Sequence, residues 1–255
     1  MAVADSSTDS LRPDDQQLAG DYFVGASVFL FQRTVLTAFA SEGTDDSTQI
    51  LDAGAIVLAR EKADDESGSV ALQAILGWLD AWLSLDEKQV AEGPPGFDRA
   101  RRLSLVCLAF GSDPEVSRGL ADRAGFDSDD RNTCIARYAE AQKKWSGWLK
   151  SFHRAPDAPA PIRAEPEGAP PEGEPTLRLA FAPTLDEADQ AIADAMRENG
   201  LFQLLTDDIN ATLVMPRPIT ALITQCGEAK AFYNPDRGEA VLCYEMLGAL
   251  VKAAP

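Results

Sequence analysis

Between Gln17 and Phe39 the chain places Leu18, Tyr22, Phe23, Val24, Val28, Phe29, Leu30, Phe31, Val35, Leu36 and Phe39. Wound at 3.6 residues per turn, these positions leave no broad polar face, so the stretch is expected to be a helix buried on most sides. The rest of the chain then has to cover it. Gln32, Arg33 and Thr34 interrupt the apolar run and are expected to keep it short of transmembrane length. On residue chemistry alone, Phe29, Phe31, Val35, Leu36 and Phe39 are core, with Gln32 and Arg33 a polar break.

The 255 residues are 45% hydrophobic, which suffices for one large domain or two small ones. A formal net charge of -18 repels nucleic acid and anionic lipid, so neither is expected as a partner, and no membrane insertion is expected. Solubility is the plain reading of this acidity, with a cationic partner the other. The start, Met1 to Pro13, is polar and acidic, so no signal peptide is expected in it, although Ala2-Val3-Ala4 is similar to the small-residue end of a cleavage site.

Residues 1–16 are expected to be a flexible N-terminus. After the first helix, 41–47 reads as a loop whose Asp46 or Ser47 can cap a helix running to about Lys62. Residues 64–69 read as a turn. A third helix carries Leu72, Ile75, Trp78, Leu79, Trp82 and Leu83, broken by Gly93-Pro94-Pro95-Gly96. A fourth spans Phe97 to Phe110, stopped by Gly111. A short fifth has Pro114 in its first turn and Ser112 or Asp113 as cap. Asp129 or Asp130 caps a sixth, ending near His153. The Pro-rich, acidic run 155–175 is an extended linker without a core. Beyond it come a strand, Leu177 to Phe181, a helix from Leu185 capped by Thr184, and a helix from Leu201 to Leu213.

The last part, Cys226 to Glu245, reads as a hairpin. Ile219 to Gln225 and Ala240 to Tyr244 are its arms, and Asn234-Pro235-Asp236-Arg237-Gly238 is its turn. A short helix, Glu245 to Lys252, follows. Cys226 and Cys243 flank the turn. A disulfide between them would stabilise the fold by about 3 kcal/mol in the chain-entropy model. Four cysteines in two pairs, without CxxC spacing, point to two disulfides, Cys226–Cys243 and Cys107–Cys134, or to buried free thiols.

Other chemistry is sparse. The single histidine, His153, excludes any site in one chain that needs two, and it reads as a helix-end residue. Glu228 and Glu245 are weak candidates for a carboxylate pair, the plain alternative being solvated or salt-bridged side chains. The acidic loop around Thr44-Asp45-Asp46 is too short for an EF-hand.

Several segments together resemble a known family. Asn210-Ala211-Thr212-Leu213, Pro216, Cys226-Gly227-Glu228, Ala231-Phe232-Tyr233-Asn234-Pro235 and Leu242-Cys243-Tyr244-Glu245 are similar to the start of a bacterial family of HExxH-type zinc metallopeptidases, first catalogued as a domain of unknown function. Phe97-Asp98-Arg99-Ala100-Arg101, Cys107 to Pro114, and Arg131-Asn132-Thr133-Cys134 with Tyr138 and Trp145 are similar to its later motifs. The order is reversed here, which implies circular permutation across the linker or a fusion of two neighbouring copies. In the family, two histidines at i and i+4 bind zinc and the Glu between them activates water. The resemblance puts that helix at Gln32-Arg33-Thr34-Val35-Leu36, so Gln32 and Leu36 stand at the ligand positions and Arg33 at the general base. Of the family's downstream acidic motif only Asp52 remains. The resemblance implies zinc, but these residues provide no zinc ligands, so no metal and no cofactor is expected. Arg33 is expected to pair with Asp52 or Glu42, avoiding an unpaired buried charge.

The expected fold is a mainly helical α+β, zincin-like domain with a small antiparallel sheet or hairpin, in permuted order. The helical part 17–154 and the α+β part 176–255 are expected to form one joint domain. The expected function is that of a metallopeptidase-like pseudoenzyme, catalytically inactive, that binds or regulates a protein partner. The alternatives are a hydrolase using another site, centred on Glu228 and Glu245, and a structural partner of an active paralogue. Paired cysteines and the resemblance imply a periplasmic or secreted location.

Overall fold

A computed structural model describes residues 13–40, 48–61, 66–154 and 176–255. The expected loop 41–47, the caps Asp46 and Ser47, residues 62 and 63, the 64–65 part of the expected turn, the 155–175 linker and most of the N-terminal segment lie outside the described residues; the 66–69 part of that turn is instead the start of a helix, Glu66–Ser84.

Helix α1 (Pro13–Ala40) is the axis of the fold. Tyr22, Val28, Phe29, Leu30, Phe31, Val35 and Leu36 are all buried, and each large side chain contributes about 1.5–3 kcal/mol by leaving water. Its neighbours are α2 (Thr48–Glu61), α3 (Glu66–Ser84), the sheet and the C-terminal helix α10 (Tyr244–Ala253). Phe29 meets Trp78 at 5.0 Å between ring centroids, and Trp78 stacks on Trp82 at 5.0 Å. One expectation is corrected here. Residues 16–40 form a helix long and apolar enough to cross a membrane despite Gln32 and Arg33, yet 78% of its most apolar window is enclosed by protein.

Among the described residues four helices complete the first part, α4 (Glu87–Ala91), α5 (Arg99–Ser112), α6 (Arg118–Arg123) and α7 (Ser128–Leu149), while α8 (Glu187–Asn199) lies beyond the first strand and begins the second part together with α9 (Leu201–Thr212). Aspartates cap most of them, because a short carboxylate reaches the free N–H groups of the first turn. Asp98 caps α5, Asp127 caps α7 in a capping box with Asp130, and Asp186 caps α8. The caps expected at Asp129 or Asp130 and at Thr184 are thus displaced by about one turn or less. Thr184 instead accepts the N–H of Asp186 through its hydroxyl. Helix α4 breaks the stretch expected to extend the third helix, with Asp86 and Gln89 forming its capping box. Gly111 does not stop α5 but lies within it. A Cβ there would stand 2.3 Å from the Cys134 carbonyl oxygen, so the glycine permits the close approach of α5 and α7. Pro114 precedes α6 in a turn, and Ser117 occupies the N-cap.

The sheet has four strands in the order β1-β2-β4-β3: β1 (Leu177–Phe181), β2 (Ile219–Thr224), β3 (Ala231–Asn234) and β4 (Glu239–Cys243). It is mixed rather than antiparallel. β1, β2 and β4 run parallel, and only β3 is antiparallel, at the edge. The expected hairpin is therefore reassigned. β2 lies parallel to β4, with Thr224 opposite Cys243, and the antiparallel arm is β3. A parallel pair needs a long connection, and the chain between Thr224 and Glu239 provides it with β3 inside. The turn is as read: the Asn234 side chain accepts the Asp236 N–H, and Gly238 takes φ 64°.

Cys226–Cys243 and Cys107–Cys134 are disulfides. The first ties the loop after β2 to the end of β4, and the second joins α5 to α7. Apolar side chains from both sides of the 155–175 segment share one buried cluster, for example Phe31 on Phe202 at 4.8 Å.

Candidate functional site

The polar break in α1 opens onto a cleft of about 620 Å³. Gln32 and Leu36, one turn apart, are buried on the same helical face, Gln32 at 3% exposure. Arg33 points to the cleft rim, its side chain 16% exposed. α2 brings Asp52, 4% exposed, against it. The Arg33 Nε–H donates to Asp52 Oδ1 at 2.8 Å. α5 supplies a second guanidinium: Arg101 donates from Nε to Asp52 Oδ2 and from Nη2 to Oδ1, each at 2.7 Å. The Arg101 Nη1 donates to the Gly96 carbonyl at 2.9 Å. Its guanidinium also lies against the rings of Phe29 and Phe97, at 5.6 and 5.0 Å, where the cation meets the negative ring faces.

One buried carboxylate thus receives three N–H bonds from two arginines. Such charge-assisted, partly bidentate bonding is what makes burial of these ions tolerable. Burial holds the Arg33 guanidinium below its ordinary pKa, with Asp52 opposing that shift and Arg101 adding to it. The cleft is further walled by Leu30, Phe97 and Met246, with Lys230 at its edge and the first turns of α2 and α5 at its floor. In the sequence Arg101 stands out only as part of the segment Phe97-Asp98-Arg99-Ala100-Arg101. Its role became visible once Asp52 had to balance a buried charge, because nothing in the sequence says which of 23 basic residues reaches it.

The residues here do not fit a zinc ion. Gln32 offers one amide oxygen, Oε1, which is buried without a hydrogen-bond partner. Leu36 offers none, and Asp52 already accepts three arginine N–H groups. Two guanidiniums beside a cation would repel it. His153 forms a bridge with Leu213 and is not part of the cleft wall.

Glu228 and Glu245 are not brought together as a carboxylate pair. Glu245 accepts the backbone N–H groups of Cys226, at 3.1 Å, and Gly227, at 2.6 Å, and so pins the loop after β2. Glu228, well exposed, pairs with the half-buried Lys230 at 2.5 Å. Cys226, Cys243 and Glu245 place ligand-type atoms within 4.8 Å of one another, but both sulfurs are spent in the disulfide. Glu42, the other partner expected for Arg33, and the Thr44-Asp45-Asp46 loop lie outside the described residues.

With the site's geometry in view, comparison with known proteins adds one finding. A family profile described as "Putative metallopeptidase" matches residues 181–254. That segment holds α8, α9, β2, β3, β4 and α10, and is under a third of the chain. No curated protein and no solved structure matches.

Proposed function

We propose that this chain is a metallopeptidase-like protein without zinc ligands that works by binding, as a non-catalytic pseudoenzyme regulating or recruiting a protein partner. The observation that carries the reading is the Arg33–Asp52–Arg101 cluster. Arg33 stands where the resemblance puts a general base, and Gln32 and Leu36 stand where it puts the two metal ligands. An arginine cannot accept a proton from water at neutral pH, since its guanidinium stays protonated. The family match over 181–254 supports the ancestry and carries no information on activity. Two disulfides suit an oxidising compartment, consistent with a periplasmic or secreted protein. Purified protein is expected to contain no stoichiometric zinc by elemental analysis and to show no chelator-sensitive cleavage of casein. Zinc at one equivalent with such cleavage would overturn the reading. A hydrolase centred on Glu228 and Glu245 is not favoured, because backbone N–H groups and Lys230 already occupy those carboxylates.

The reversed motif order is read as a circular permutation, with 17–154 and 176–255 as one joint domain. The shared apolar cluster and the packing of α10 on α1 support this. Domains tolerate such rearrangement when the old ends meet at the surface. A gene reordered to run 176–255 and then 1–154 is expected to give the same two disulfides and the same near-UV circular dichroism. A collapsed near-UV spectrum would count against it.

A further inference from the structure

We infer that the cleft beside the Arg33–Asp52–Arg101 cluster binds the carboxylate of an organic ligand with an apolar body, and that Arg33 is the residue that receives it. The inference rests on the binding-protein reading above and names the ligand chemistry of the same site.

Charge is the first reason. The protein carries -18, yet among the described residues the cleft is lined by Arg33, Arg101 and Lys230 against Asp52 and Asp98. Asp98 is engaged as the cap of α5 and Asp52 by three N–H groups of Arg33 and Arg101. Lys230 is held by Glu228, whose side chain is 66% exposed, and ion pairs at the surface contribute little.

The second reason is the inventory of donors. Arg101 uses all three of its nitrogens within the protein. Arg33 uses only Nε, and among the described residues its two Nη nitrogens donate to nothing. It is a mostly buried cation whose remaining fork of N–H groups faces the cleft, the geometry that a planar carboxylate meets with two parallel bonds. The depressed pKa of Arg33 reflects the same desolvation.

Third, Thr48 and Gln49 of α2 and Ala100 of α5 line the cleft, and neither helix carries an acidic residue in its first turn. The partial positive charge of the α2 N-terminus adds to the field, whereas that of α5 is met by its Asp98 cap. Size and walls are the last reason. About 620 Å³ with Leu30, Phe97 and Met246 as apolar surface matches a small-molecule or peptide-end site, not a bare ion site.

Two sources share this chemistry: a free organic acid and the C-terminus of a peptide. The test is isothermal titration at low salt of the full chain with N-acetyl-phenylalanine and, separately, N-acetyl-phenylalaninamide. The acid is expected to bind saturably and the amide about tenfold or more weaker, the factor for losing a charge-assisted hydrogen bond. Equal binding of the two, or no saturable binding of the acid, overturns the inference, and neither result needs a variant. Arg33→Met is expected to weaken the acid by about tenfold or more with near-UV circular dichroism unchanged, and Arg33→Lys to restore part of it. Wild-type affinity in a folded Arg33→Met protein overturns the assignment to Arg33. Competition by inorganic phosphate as strong as that of the acid overturns carboxylate selectivity. Acetyl-Ala-Ala-Phe as acid and amide then separates the sources: tighter binding than the single residue means a peptide end, equal binding a free acid. Loss of binding with peptidase activity still absent overturns the ligand assignment alone, whereas chelator-sensitive proteolysis overturns the reading beneath it.

Discussion

Replacing Asp52 with alanine is expected to destabilise the protein by about 3–5 kcal/mol, the cost of leaving a buried ion without its counter-charge. Asp52 is 4% exposed and is the acceptor of three N–H groups from Arg33 and Arg101. Its removal leaves two desolvated guanidiniums facing each other, one of them already held below its ordinary pKa by burial. The measurement is urea unfolding, where the midpoint should fall with an unchanged slope. Asp52→Asn should cost less, since the amide oxygen still accepts a hydrogen bond. The triple replacement Arg33→Leu, Asp52→Leu, Arg101→Met should recover much of the loss, because an apolar substitute of similar volume removes the charges together with their desolvation. A loss under about 1 kcal/mol in Asp52→Ala would mean that the cluster is solvated like a surface pair.

The second large effect is expected at Gly25, where α1 and α3 touch. A Cβ there would stand 2.0 Å from the Ala74 carbonyl oxygen and 2.4 Å from the Trp78 Cβ. The oxygen belongs to backbone, so no rotamer change makes room and the two helices must part. Gly25→Ala is expected to cost upward of about 3 kcal/mol, beyond the usual overpacking range. Trp78 stacks on Trp82 and packs on Phe29, so the emission spectrum should shift as that arrangement opens. Gly20→Ala, on the same helix with nothing within 4 Å, should instead stabilise by about 0.5–1 kcal/mol, because alanine loses less backbone freedom than glycine on folding. Equal effects at the two positions would contradict the helix contact.

Helix-forming stretches were legible because their signal is local. Apolar spacing marked α1, α3 and α7, and Gly200 at the end of α8, in the left-handed region at φ 65°, is the kind of stop a sequence displays openly. The caps were mislocated because several aspartates stand in a row before α7, and only the backbone geometry selects Asp127. The turn at 234–238 was legible for the same reason, but strand pairing was not. Ile219–Thr224 looks like a hairpin arm from its pattern, and the alternation of residues does not reveal whether a neighbour runs parallel or antiparallel. Gly111 was read as a stop because a glycine has two uses, a positive φ and a close approach, and the letter is the same for both. As for the site, Arg33 and Asp52 were named from resemblance, whereas Arg101 and Lys230 came only with the fold.

By itself the sequence determined what this chain cannot do and what must lie at its centre. One histidine rules out a two-histidine metal site in a single chain, and an apolar stretch of this length has to be enclosed. Tertiary structure alone decided which charges meet. Arg33 and Asp52 are 19 residues apart and Arg101 is 49 beyond Asp52. They converge because α1, α2 and α5 pack together, and the energy of a buried ion depends on partners that come from remote segments. The sequence therefore marks a polar break in an apolar helix, and the fold shows the cationic cleft onto which that break opens.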